Sequence, residues 1–189
     1  MSKVLLKSFY HISKFKYHED LKEELCRILE EASSEELNAP QAEVYISRCD
    51  WQKAKDFNRP WVSFLRKKLF EHMLEIYEDL GYDGFTLHEI WFQQYFTNAM
   101  HGWHTHSGNF TNVYYVDLPN NSSKTCILCP FDQKSVIELD VKEGDIVVFP
   151  SFVIHQGPKN LSQYKKTIIS YNTNVTYSDA IYANHAGIK

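Results

Sequence analysis

No apolar run in this chain of 189 residues reaches the roughly 20 residues that a membrane-spanning helix requires. Cysteine is scarce, and Cys26, Cys49, Cys126 and Cys129 fit reduced thiols better than a disulfide framework. Cys126 and Cys129 have CxxC spacing, but no second pair accompanies them. Within a strand, positions i and i+3 face opposite sides, so these two thiols cannot chelate one ion and read as small buried hydrophobes. Positive charge is not in surplus either: 20 Lys and Arg against 24 Asp and Glu leave a net charge of −4. Without a basic stripe, bulk nucleic-acid binding is not expected. The N-terminal MSKVLLKSFYHISKF has a short apolar patch but no long h-region and no small-residue cleavage site, which gives the expectation of a cytoplasmic protein. In that setting Asn-x-Ser/Thr triplets such as Asn109-Phe110-Thr111 are coincidental. Repeats and low-complexity segments are absent too.

What remains is a chain with 43% hydrophobic and 15% aromatic residues, enough for one aromatic-rich globular domain over residues 1–189. Leu21, Leu25, Ile28, Leu29 and Ala32 recur at helical spacing. A second helix opens at Asn58-Arg59-Pro60, carries Trp61, Leu65, Leu69, Met73, Ile76 and Leu80 on one side, and stops at Gly81. Glu43 to Ser47 reads as a strand between them. From residue 85 the period changes to two. Thr86–Phe96, Phe110–Leu118, Thr125–Leu128, Ser135–Val141, Asp145–Phe149 and Lys166–Val175 read as strands separated by turn signals. The predicted class is therefore α+β. A helical N-terminal support (1–84) buttresses a β-rich core (85–176), and a short C-terminal tail follows (177–189).

Chemistry concentrates in the β-rich half. In Trp103-His104-Thr105-His106 the two histidines stand at i and i+2, which in a strand share one face and can converge on one ion. A third, His155, follows a turn, a buried strand and a break (Gly144 to Ser151) that suits the rim of a barrel. Asp145 belongs to that turn. His101, an odd number of residues from His104, falls on the other face of a regular strand. His11, His18, His72 and His185 lie near termini or on a helix face and read as surface or capping residues. Lys166 heads the strand Lys166–Asn172, where parity puts Lys166, Ile168, Ser170 and Asn172 on one face. If that face points inward, a buried ammonium stands in an apolar wall and requires an anionic partner. Spacing alone leaves two blander readings open: three hydrogen-bonded core histidines, and an exposed strand-end lysine.

Over residues 86–175 these motifs resemble the Fe(II)/2-oxoglutarate-dependent oxygenases. The likeness is to the small phage and bacterial type, near the prolyl-hydroxylase branch. That family carries an HxD or HxE pair, a distal His, and a basic residue about ten positions further on. Here the corresponding residues are His104-Thr105-His106, His155 and Lys166. Tyr95 resembles the family's strand tyrosine before the first His, and Val113-Tyr114-Tyr115-Val116 resembles the next strand. The resemblance implies a double-stranded β-helix (jelly-roll) core. It also implies Fe(II) on His104, His106 and His155, with 2-oxoglutarate as co-substrate and O2 as oxidant. The distal carboxylate falls to Lys166 and Tyr115, with Tyr95 and Asn172 as further pocket residues. His106 departs from the pattern, standing where most relatives have an acid. Three neutral imidazoles leave Fe(II) at +2 rather than +1, which favours a dianionic co-substrate. Lysine instead of the more frequent arginine offers a point charge rather than a fork.

Two other classes fit the same residues: a cupin-like three-His dioxygenase that does not use 2-oxoglutarate, and a non-catalytic jelly-roll binding module. The primary substrate is left open among peptide, amino acid, nucleotide and small metabolite.

Overall fold

In the computed structural model, residues 10–176 are described. The tail read at 177–189, with His185, lies outside them.

Two helices form as their patterns predict. Helix α1 (His18–Glu31) has Glu19 and Asp20 in its first turn, where the helix dipole favours acids, and it buries Leu25 and Leu29. Arg48 satisfies carbonyls at its C-terminus, its Nη2 donating to the oxygens of Leu29, Glu30 and Ala32. Helix α2 (Pro60–Asp79) starts on a proline and ends before Gly81, whose φ of +88° suits a residue without a Cβ. No helix among the described residues is long and apolar enough to cross a membrane.

Eleven strands make one wholly antiparallel sheet, ten of them in a continuous path that curls on itself as a jelly roll. They are β1 (His11–Lys14), β2 (Glu35–Ala39), β3 (Val44–Cys49), β4 (Gly84–Tyr95), β5 (Met100–His104), β6 (Phe110–Asp117), β7 (Cys126–Leu128), β8 (Val136–Glu138), β9 (Asp145–Pro150), β10 (His155–Gly157) and β11 (Lys166–Thr176). The order is β1-β9-β6-β11-β4-β3-β5-β10-β7-β8, with β2 added beside β3. The long strands β4, β6 and β11 carry most of the pairing, with β11 between the other two.

Alternation along these strands builds two cores back to back. Ile90, Phe92, Tyr114, Val116, Ile146, Val148, Ile169 and Tyr171 face the helices and pack on Leu25, Leu29, Leu65, Leu69 and Met73. Their neighbours Tyr95, Val113, Tyr115, Val147, Phe149 and Ile168 face the inside of the roll. A one-residue slip in any of these strands exchanges the two sets, so burial on both sides pins the register. The site described below opens into the inner core.

Three readings are corrected. The N-terminal support is not purely helical: besides the expected β3 it contributes β1, paired to β9, and β2, paired to β3. His18 is a core residue, 1% exposed, with Nδ1 2.8 Å from the Tyr114 hydroxyl. His72 is also buried, its Nε2 3.2 Å from Ser13 Oγ. In both cases the helix turns the ring towards the sheet, and burial holds it neutral by lowering its pKa. Asp145 serves its turn as read, accepting from the Lys142 N–H at 2.7 Å.

Candidate metal and co-substrate site

His104 ends β5, His106 lies two residues beyond it, and His155 opens β10, directly paired with His104. The chain after His104 has left the sheet, so His106 is not a strand residue. It is fixed instead by its N–H, which donates to the Ser151 carbonyl at 3.1 Å. The three histidines can each offer one nitrogen, and these nitrogens all lie within 4.8 Å of one another. His104 Nε2 and His106 Nε2 are 3.1 Å apart, the spacing of two ligands in one coordination sphere.

Backbone carbonyls set the rings. His104 Nδ1 donates to Gly102 O at 2.6 Å, and His155 Nδ1 donates to Val153 O at 2.9 Å. A proton held on Nδ1 leaves the Nε2 lone pair free and aims it, which is how metal-binding imidazoles are commonly anchored. Desolvation lowers all three pKa values, for His106 to about 4, so the rings are neutral near pH 7 and could each offer a nitrogen to a metal.

His101 joins them, contrary to the parity reading. Between β5 and β10 the register runs His104 to His155 and His101 to Gly157, three steps on one strand against two on the other. The extra residue is a bulge, and it reverses the face of everything before it. The His101 ring consequently stacks on that of His104, with centroids 3.7 Å apart and planes 14° from parallel.

Lys166 lies deeper in the same cavity, 2% exposed. Its ammonium donates to the Ser123 carbonyl at 2.9 Å and to Ser123 Oγ at 3.3 Å, and sits 4.5 Å from the Tyr95 ring centroid. No carboxylate pairs with it among the described residues, and burial pulls its pKa down to about 8. Parity holds along β11, where Lys166, Ile168 and Ser170 all line the cavity, as does Tyr95 from the adjacent strand.

Tyr115 and Asn172 do not line the cavity. The Tyr115 hydroxyl donates to Thr125 Oγ1 at 2.6 Å, and Thr125 takes the place on the wall. Asn172 lies one step past Ser170, donating to Glu89 Oε2 at 3.1 Å and accepting from Thr111 Oγ1 at 3.4 Å. Sequence reasoning missed Thr125, Ser123 and Gln93. Isolated hydroxyls and amides have no spacing signature, although Gln93 and Tyr95 share a strand face.

The donor set suits a divalent transition metal: three neutral nitrogens that converge, two of them on rings held by backbone carbonyls. The lone buried ammonium suits the far carboxylate of a chelating ligand.

No family model and no curated protein matches the sequence. Its fold, by contrast, is similar to those of solved structures. The chain is similar to a prolyl-4-hydroxylase of Pseudomonas putida at 13% identity and a TM-score of 0.63, covering 90% of this chain and 94% of that one. It is similar to the α-ketoglutarate-dependent epimerase SnoN of nogalamycin biosynthesis at 12% identity and a TM-score of 0.68, covering 88% and 77%. It is also similar to a viral collagen prolyl hydroxylase of Paramecium bursaria chlorella virus 1 at 13% identity and a TM-score of 0.53, covering 87% and 95%. At these identities the likeness is one of fold. The chain has the double-stranded β-helix architecture of the non-haem 2-oxoglutarate oxygenases.

Proposed function

We propose that this chain is an Fe(II)- and 2-oxoglutarate-dependent oxygenase that hydroxylates its substrate. One observation carries the reading: three histidines share a cavity with a buried lysine that has no carboxylate partner among the described residues. The first feature provides for a metal; the second provides for a dicarboxylate. Bound iron with 2-oxoglutarate and O2 supplies substrate hydroxylation coupled to oxidative decarboxylation, with succinate and CO2 as co-products.

The chain's own residues hold and orient. His104, His106 and His155 are the ligands. Lys166 receives the distal carboxylate, replacing a costly lone ammonium by an ion pair in a low-dielectric wall. Thr125 is placed to donate the second hydrogen bond, because its oxygen already accepts from Tyr115 and its own proton is free to turn inward. Tyr115 thus acts through Thr125 rather than on the carboxylate. Tyr95 covers the ammonium and excludes water from that end. The relatives' names support the reading, since SnoN has been solved with Fe3+ and α-ketoglutarate.

The test is anaerobic titration of the apo-protein with Fe(II) and then with 2-oxoglutarate. A visible charge-transfer band that requires both additions is expected. Iron binding without any band on adding 2-oxoglutarate rejects this reading in favour of a three-His dioxygenase that does not use it.

A further inference from the structure

Resting on that reading of the histidine site, we propose that a second chamber on its outer side binds an uncharged, ring-bearing carboxamide, free or within a peptide. His101, His104, His106, Trp91 and Gln93 line both chambers, so the histidine cluster forms the partition. The outer chamber adds Leu37, Cys49, Trp51 and Thr105, and has a cavity volume of about 220 Å³, against about 20 Å³ in the inner one. It therefore takes the larger ligand.

Charge divides the two. Lys166 stands in the inner chamber, whereas among the described residues no carboxylate, ammonium or guanidinium lines the outer one. An ionised ligand entering there loses hydration with no counter-charge in return. Two indoles make the apolar wall, with Trp91 buried at 2% exposure and Trp51 open at 53%. Their faces suit a ring presented edge-on or offset. Gln93 supplies polarity at the partition. It is 4% exposed, its carboxamide oxygen accepts from Ser170 Oγ at 3.2 Å, and its NH2 makes no hydrogen bond to the described residues. This donor opens on the cavity, where a ligand carbonyl can take the place of water.

The experiment follows the tryptophan indole N–H resonances of the metal-free protein, assigned with Trp-to-Phe variants, during titration with N-acetyl-L-phenylalaninamide. The anionic N-acetyl-L-phenylalanine and the cationic L-phenylalaninamide serve as matched charged probes. We expect the neutral amide to shift Trp51 and Trp91 but not Trp61, and to bind at least about tenfold more tightly than either charged analogue. Trp51→Ala and Gln93→Leu should each weaken it by about fivefold. A capped Gly-Phe-Gly peptide that binds more tightly than the free amide indicates a peptide source, and weaker binding indicates a small molecule. Equal affinity for a charged analogue, shifts confined to Trp61 or Trp103, or indifference to both substitutions overturns the proposal. Since no metal is present, such a failure leaves the iron and 2-oxoglutarate band, and the reading it tests, unaffected.

Discussion

At the scale of single residues, Lys166 carries the sharpest consequences. The depression of its pKa from 10.5 to about 8 corresponds to roughly 3 kcal/mol of unfavourable ammonium burial. Because the folded value is the lower one, this cost is fully present below pH 8 and fades as pH rises towards 10.5. Lys166→Met should therefore stabilise the ligand-free protein by about 1–3 kcal/mol at pH 7, measured by urea unfolding, while the 2-oxoglutarate requirement rises sharply. A variant that is destabilised and still binds 2-oxoglutarate normally contradicts the assigned role. Co-substrate affinity carries a matching pH dependence. Calorimetric titration of 2-oxoglutarate into the metal-loaded protein should show affinity falling, by up to about tenfold per pH unit, once pH passes about 8. The limb belongs to the lysine, because the histidines are already neutral at that pH.

Among the elements, the 3₁₀ turn Trp51–Lys53 that follows β3, and helix α2 after it, are tied to the sheet by Asp50. Its carboxylate accepts from Arg59 Nη1 at 2.5 Å, from Trp61 Nε1 at 2.9 Å and from the Phe92 N–H at 2.9 Å, all in buried surroundings. Asp50→Ala leaves the Arg59 guanidinium buried with no counter-charge, and a loss of about 3–5 kcal/mol in urea unfolding is the expected result. The same scale separates what the sequence disclosed from what it hid. Strands such as β6, β9 and β11 alternate between two buried faces over six or more residues, so their period was legible, as were both helices. Strands β5 and β10 are short, and with a bulge between them their residues obey no single parity. His101 was misplaced for that reason. His104, His106 and His155 could be grouped because two share a short motif and the third follows a strong turn-strand-break pattern. Thr125 had no such marker, and its place on the wall depends on the packing of Tyr115 behind it.

For the whole molecule, the distribution of the three proposed ligands determines how a bound metal and the fold would influence one another. His104 and His155 sit on paired strands of the β5-β10-β7-β8 edge, which is built from segments of three to five residues. His106 lies in the following loop, tied to the segment before β10 through Ser151. A metal binding all three rings joins the end of β5, this loop and the start of β10, and it binds the folded chain far better than the unfolded one. At a free concentration one hundred times its dissociation constant, it adds about 2.7 kcal/mol of stability. For a domain of this size that amounts to a rise of about 5–10 °C in Tm. Thermal unfolding with and without Fe(II) under anaerobic conditions should show it, and a chelator should reverse it. His106→Ala should abolish most of the rise while barely altering the metal-free Tm, since the ring's backbone N–H anchor survives the substitution. His106→Asp should restore it, because a carboxylate at that position presents an oxygen to the same ion. A full rise in the alanine variant means that the metal is held elsewhere, and a His101→Ala variant then shows whether the fourth imidazole of the cavity has taken the ligand's place.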